Sequence, residues 1–382
     1  MSPQPKLLER VPTPVRVVLV FLALYVFLLG IGGMSGAFKM MGKGYTQELL
    51  GSGSAPIVAL FIGILATTLV QSSSTTTSMS VALVAAGQLP YESAIYIVMG
   101  ANVGTTVTNT LVSLGHMRHT AEYKRAFAAA TVHDFFNLVV LLILFPLEYF
   151  TGILDKMAHW SANAFQDIGG VKLSSPIKVI TKPVIKDVQA FMADMGDGGG
   201  FMLALAILTT FVGLVMMVKL LKSIMVSRLE NLFDRVLFRS PAMSLVFGLF
   251  LTILVQSSSI TTSVAVPLVG AGIITIAQVL PYTMGANIGT TMTALIASLA
   301  AIASVDSGDT AGFEKAALGL VLAFHHVLFN VMGVAVLWWI RWIPIRIAEA
   351  FASIAMRNRL FPLVYIIVVF YVLPFVIVLL GR

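Results

Sequence analysis

Apolar runs of membrane-spanning length recur along the chain, and shorter apolar runs between them are interrupted twice by the same polar block. Continuous apolar stretches occupy 17–34, 127–147, 201–218, 318–340 and 360–380, each near the ~20 residues that a helix needs to cross a bilayer. Segments 56–70 and 241–255 are apolar but shorter. The first runs into Gln71-Ser72-Ser73-Ser74-Thr75-Thr76-Thr77-Ser78 and the second into Gln256-Ser257-Ser258-Ser259-Ile260-Thr261-Thr262-Ser263. Apolar character resumes at Val81 and Val266. This predicts a helical hairpin in each place, entering and leaving on one side, with its tip at the Gln-Ser-Ser-Ser. Non-helical backbone survives at membrane depth only when buried in protein or lining a cavity.

The surroundings of the two blocks repeat as well. Gly-Ala-Asn-Val-Gly-Thr-Thr at 100–106 returns as Gly-Ala-Asn-Ile-Gly-Thr-Thr at 285–291, and Pro56 precedes Gln71 as Pro241 precedes Gln256. Aligning 56–115 on 241–300 without gaps leaves 28 of 60 positions identical, the signature of an internal repeat. A second constellation follows each copy: His133-Asp134-Phe135-Phe136-Asn137 matches His326-Val327-Leu328-Phe329-Asn330 with a slightly longer offset.

Charge sets the orientation of the copies. Lys and Arg collect at the N-terminus (Lys6, Arg10, Arg16), at Arg118-Lys124-Arg125, from Lys219 to Arg239, and from Arg341 to Arg359. By the positive-inside rule these connections and the N-terminus face the cytoplasm. Asp306, Asp309 and Glu314 mark an outer loop, and 148–200 is expected as an extracytoplasmic linker. The span 127–147 then runs outward and its counterpart 318–340 runs inward, which makes the halves inverted-topology repeats. Such repeats place substrate near the midplane at their interface. The expected fold is an all-α polytopic membrane protein with two re-entrant hairpins. Its parts are a first repeat over 1–147, the linker, a second repeat over 201–346, and an amphipathic segment with a final membrane helix over 347–382.

Composition supports this class. Of 382 residues 58% are hydrophobic and 11% charged, against roughly 25% charged in a soluble domain. The net charge of +7 lies beside apolar spans, not on a patch for nucleic acid. Without cysteine there is no disulfide framework, thiol nucleophile or Cys-ligated metal.

The polar blocks define the chemistry. Hydroxyls and carboxamides offer donors and acceptors, and helix-opening tips add free N–H groups that favour an anion. No Lys or Arg lies between Lys43 and Arg118 or between Arg239 and Lys315. A multivalent anion bound there needs another neutraliser, and bound cations are the natural one. Asp134, inside an apolar run and absent from the second copy, reads as an ion or proton site. His133 and His326 read as buried neutral histidines bonded to neighbouring helices.

At these residues the chain resembles the type II sodium-dependent phosphate cotransporters. The match lies in the Gln-Ser-Ser-Ser blocks at 71–74 and 256–259, the Gly-Ala-Asn segments at 100–105 and 285–290, and Thr-Val-His-Asp-Phe-Phe-Asn at 131–137. The resemblance covers roughly 16–360 and implies inward symport of inorganic phosphate with sodium ions by alternating access. It implies that Gln71, Ser72, Ser73, Ser74, Gln256, Ser257, Ser258 and Ser259 line the phosphate site, supported by Asn102 and Asn287. It assigns sodium to Asp134, Asn137 and Thr110, with Gln71 and Gln256 contributing, and implies net charge movement through Asp134. His116, His119 and Ala286 depart from the family pattern.

The expected setting is the plasma membrane, a bacterial inner membrane, with sodium as coupling ion and no further cofactor. No enzyme is expected, since Gly-x-Ser-x-Gly, His-Glu-x-x-His and paired catalytic aspartates are missing. The alternative within the same class is a sodium-coupled carrier of another oxyanion or of a small carboxylate. A carboxylate specialist would want an Arg clamp.

Overall fold

The computed structural model describes residues 11–50, 55–114, 120–167, 176–193, 198–213, 240–305, 308–358 and 360–381, together with 216, 220 and 223. Among the described residues every regular element is helical. The expected all-α polytopic membrane fold is what the chain adopts.

In the first half α1 (Thr13–Leu50) precedes the pair α2 (Pro56–Val70) and α3 (Ser73–Ala85), then α4 (Tyr91–Gly104), α5 (Val107–Leu114), α6 (Thr120–Thr151) and α7 (Ile153–Asp167). After α8 (Pro176–Ala193) comes α9 (Gly198–Gly213). The second half repeats the order with α10 (Pro241–Val255), α11 (Ser258–Gly270), α12 (Ile276–Ser304), α13 (Thr310–Ile340) and α14 (Trp342–Arg357). The chain ends on α15 (Phe361–Ile367), a π-helical turn at Val368–Val372 and α16 (Leu373–Leu380). That widened turn lies directly before Pro374 and relaxes the clash a proline makes with the carbonyl four residues back. Among the described residues four stretches are long and apolar enough to span a membrane: Ala121–Thr151, Ile276–Ser304, Thr310–Ile340 and Phe361–Leu380. The expected span at 17–34 falls inside α1, and the expected linker at 148–200 contains α7 and α8.

Local chemistry fixes the helix ends. Pro56 and Pro241 open α2 and α10, where a missing N–H costs nothing. Thr275 and Gln278 form a reciprocal cap on α12, and the Asp309 carboxylate accepts from Gly312 N at 2.9 Å to start α13. Gly152 (φ 59°) turns the chain between α6 and α7. There Glu148 accepts from Leu154 N (2.8 Å) and Asp155 N (3.2 Å), its carboxylate set against a helix N-terminus.

Glycines let α2 and α4 touch backbone to backbone. A Cβ at Gly63 would lie 2.0 Å from Ile97 O, and one at Gly100 would lie 2.0 Å from Leu60 O. Further along, Gly104 meets Ile64 O and Thr67. Residue numbers rise together on both helices, so α2 and α4 are parallel. The start of α4 therefore lies beside the start of α2, and α3, five residues before α4, has folded back. The pair is a hairpin. In the second copy the contacts recur at Gly248–Tyr282, Gly285–Leu245 and Gly289–Leu249, with the same consequence.

The two copies are inverted relative to one another. A Cβ on Gly333 would meet Val140 Cγ1 at 2.6 Å, while His325 Nε2 lies 3.5 Å from Glu148 Oε1. Numbers rise on α13 as they fall on α6, so these equivalent helices are antiparallel. The base of the second hairpin lies at the start of α6, where Arg125 Nε donates to Gly270 O (2.9 Å). The base of the first lies at the start of α13, where Lys315 Nζ would be 2.9 Å from a Cβ on Gly87. The hairpins thus approach from opposite ends. Each also packs on the other half: α3 against α12 and α13, α11 against α5 and α6.

Candidate functional site

Both hairpin tips are built the same way, down to the torsion angle. Gln71 (φ 57°) and Gln256 (φ 56°) are the only non-glycine residues with positive φ among those described. A left-handed conformation costs an L-residue roughly 1–2 kcal/mol, so something must hold each glutamine there. Gln71 Nε2 donates to Thr68 O (2.5 Å) and Gln71 Oε1 accepts from Thr108 Oγ1 (2.8 Å). Gln256 Nε2 donates to Ile253 O (2.5 Å) and its Oε1 accepts from Thr293 Oγ1 (2.7 Å). Each carboxamide thereby staples its tip to a helix beyond the hairpin, α5 in the first copy and α12 in the second, and keeps one N–H and one lone pair for a ligand.

Ser72 is the N-cap of α3, accepting from Thr75 N at 3.2 Å. Its hydroxyl serves the helix, and the N–H groups of Ser73 and Ser74 open the first turn, where an anion is favoured. Ser73, Ser74, Ser258 and Ser259 are buried, Ser257 is half-buried, and Ser74 Oγ lies 3.5 Å from Gln256 O. The tips meet.

Beside them a buried polar network crosses between the halves. His133 Nε2 donates to Asn287 Oδ1 (2.8 Å) while its Nδ1 accepts from Asn109 Nδ2 (3.2 Å). Asn287 Nδ2 donates to Asn137 Oδ1 (2.6 Å), and Asn137 Nδ2 donates to Asn102 O (2.9 Å). Thr262 Oγ1, on the second hairpin, donates to Asn109 Oδ1 (3.0 Å). His133 is therefore a buried histidine bonded to a neighbouring helix, as its sequence setting predicts. His326 is buried too, but its ring nitrogens have no hydrogen-bond partner among the described residues.

Asp134 is fully buried within α6, not at a helix end. Its Oδ2 accepts from Thr110 Oγ1 (3.3 Å) and from Tyr365 OH (3.2 Å), and Oδ1 has no partner among the described residues. No basic side chain pairs with it among those residues. Leaving a carboxylate buried and uncompensated costs several kcal/mol. Its own carboxylate and the hydroxyl oxygens of Thr110 and Tyr365 suit a hard cation such as sodium rather than a transition metal.

The structure sets Ser74 against Gln256 at the tips, joins Asn102, Asn137 and Asn287 through the His133 network, and pairs Thr110 with Asp134. Ser73 is buried at the first tip, and Gln71 and Ser72 are half-buried there. Asn102 itself donates to Val98 O (3.2 Å) on its own helix and joins the network through its carbonyl. His116 and His119 lie outside the described residues, as does most of the basic stretch 219–239. Sequence reasoning missed Asn109, Thr108, Thr293 and Tyr365. The first three stand inside the repeated block, where the offset of 185 exposes Thr108 and Thr293 as a pair. Tyr365, on the last helix, leaves no signal of that kind.

A family described as Na+/Pi-cotransporter matches residues 26–166 and 210–356, and each block holds one hairpin. Among curated proteins the chain is 31% identical to "Sodium-dependent phosphate transport protein 2A" of Rattus norvegicus, covering 98% of this chain and 69% of that protein. It is 32% identical to the 2A protein of Mus musculus, with the same coverage. It is also 30% identical to "Sodium-dependent phosphate transport protein 2B" of Homo sapiens, over 94% of this chain and 64% of that protein. No solved structure matches. Two inverted halves, each with the motif at a buried tip, and a family match to each half lead to one conclusion: the chain belongs to the Na+/Pi-cotransporter family.

Proposed function

We propose that this chain is a sodium-coupled carrier of inorganic phosphate, driving symport into the cell by alternating access. The single observation that carries the reading is the meeting of the two tips, Ser74 against Gln256 at 3.5 Å, on segments that carry no Lys or Arg between Lys43 and Arg118 or between Arg239 and Lys315. Phosphate sits between the opposed Gln-Ser-Ser-Ser blocks, held by backbone N–H groups of the first turns of α3 and α11 and by serine hydroxyls. The hairpins are re-entrant, one from each face of a plasma membrane with the N-terminus in the cytoplasm.

Sodium supplies the neutralising charge that the missing bases do not. Asp134 with Thr110 takes one ion, and the oxygens of Gln71, Gln256 and Asn137 have lone pairs left to serve others. Tyr365 and Asn109 join as positioning residues. A fixed carboxylate in addition to the charge of the substrate calls for an extra cation, so transport moves net positive charge inward. Nothing in this scheme needs a covalent intermediate, and no enzymatic step is proposed.

The decisive experiment is radioactive phosphate uptake into proteoliposomes under an inward sodium gradient, with potassium as control and the membrane potential clamped. Accumulation only with sodium, enhanced by an inside-negative potential and not matched by sulfate or a dicarboxylate, is the expected result. Equal uptake in potassium would remove coupling, and accumulation of another oxyanion instead of phosphate would reassign the substrate.

A further inference from the structure

Away from the tips, a cavity of about 650 Å³ opens between the start of α6, the α11–α12 turn and α14. Its lining has two zones. Lys124, Arg125 and Arg346 set three positive charges against the one carboxylate of Glu349, while Ala128, Val269 and Ile274 contribute apolar wall. Those three wall residues are buried, and the three bases are exposed. None of the bases pairs with a carboxylate among the described residues.

Among the described residues Arg125 is anchored at one point, by Nε donating to Gly270 O at 2.9 Å. At the turn, Gly272 (φ 78°) leaves open the space where a Cβ would stand 3.7 Å from the Arg125 guanidinium. Arg346 lies over the Trp342 ring at 5.0 Å, and Arg341 over Trp338 at 5.2 Å. Paired indoles and guanidiniums of this kind collect at the membrane–water boundary. The cavity lies on the end of the molecule that carries the basic connections at Lys124-Arg125 and Arg341-Arg346, where a headgroup would be expected.

We propose that this cavity binds an anionic phospholipid, its phosphate among Lys124, Arg125 and Arg346 and an acyl chain along Ala128, Val269 and Ile274. A free inorganic anion would fill a fraction of the volume and gain nothing from the apolar wall. A neutral apolar ligand would leave three bases unused. A molecule with an anionic head and a hydrocarbon tail uses both zones, and basic pockets between helices on the cytoplasmic side are where such headgroups bind. The lipid would bridge the base of the second hairpin to α6 and α14. The proposal concerns a site distinct from the tips and stands independently of what they transport.

The test is native mass spectrometry of the full-length protein in detergent, titrated with phosphatidylglycerol, phosphatidylcholine or inorganic phosphate. Phosphatidylglycerol is expected to be retained in preference to phosphatidylcholine. The double variant Lys124→Gln/Arg346→Gln should weaken it about 25-fold, at roughly fivefold per basic side chain facing an anionic headgroup. Ala350→Trp, which fills the exposed side of the cavity without altering charge, should displace it as well. Both variants alter exposed positions, and size-exclusion profiles check that they fold. Equal retention of phosphatidylcholine, or undiminished phosphatidylglycerol in either variant, would overturn the site. Competition by inorganic phosphate at matched ionic strength would overturn the lipid assignment in favour of a free anion.

Discussion

The two hairpins agree while the helices that follow them do not. Gln71 and Gln256 share their torsion angle, their bond to the carbonyl three residues back and their threonine partner. After them, the first copy breaks at Thr105-Thr106 into α4 and α5, whereas the second runs unbroken as α12 for 29 residues. The broken copy holds Asn109, Thr110 and Asp134; the positions matching them in the second are Ala294, Leu295 and Val327. Hydroxyl back-bonding does not explain the break, because Thr105 and Thr290 bond the carbonyl four residues back alike, each at 3.0 Å. What differs is the buried carboxylate and its neighbours. On the function proposed above, the two symmetric tips would serve a ligand shared between the halves, and the asymmetric carboxylate something present once. An interrupted helix also frees backbone groups for such use, as Asn102 O accepting from Asn137 illustrates.

The largest expected effect tests the symmetric part. Gly63→Val and Gly248→Val would set a Cβ at 2.0 and 2.1 Å from the Ile97 and Tyr282 carbonyls. Each should cost roughly 3 kcal/mol or more by overpacking and remove the monodisperse peak on size exclusion. Tolerance of one but not the other would break the equivalence of the two packings.

Next come the tips. Gln71→Ala and Gln256→Ala each release a stapled turn, and a misplacement of that order costs about 100-fold in rate. Initial rates of sodium-dependent phosphate uptake should fall together in both variants. A large loss in one alone would mean that the site belongs to a single hairpin.

Asp134→Gly addresses the asymmetric part. It should abolish the sodium-dependent current while leaving part of the phosphate uptake, and Val327→Gly should leave the current intact. Unchanged current in the aspartate variant would withdraw the proposed role.

The smallest effects belong to the hydroxyls on Asp134 Oδ2. Thr110→Val should raise the sodium concentration for half-maximal uptake about fivefold, and Tyr365→Phe about threefold, in line with losing one hydrogen bond each. A change in phosphate affinity without a change in sodium affinity would place these groups elsewhere.

Much of this was legible in the chain because it is local or repeated. A polar block inside an apolar run, a proline fifteen residues earlier and a copy at constant offset specify two hairpins with short-range information alone. Charge placement supplied the inversion, which the antiparallel packing of α6 on α13 bears out. The sequence also singled out Asp134, since an unpaired carboxylate in an apolar helix is costly wherever that helix goes.

Partners were not legible. Tyr365 reaches Asp134 across 231 residues and His133 reaches Asn287 across 154, and neither pairing follows from spacing. The serines and glutamines of the tips looked alike as ligand groups, yet Ser72 is spent on capping α3 and the glutamine oxygens each already accept a threonine hydroxyl. Glu148 falls in a connection that reads as linker; its cap on the start of α7 is local, but only packing sets it beside His325. The sequence by itself determined the membrane class, the duplication and the tips, because hydrophobic period and local turn chemistry act over a few residues. Tertiary structure decided which hydroxyls and amides stay available to a ligand, because that depends on which distant helix face arrives to satisfy the others.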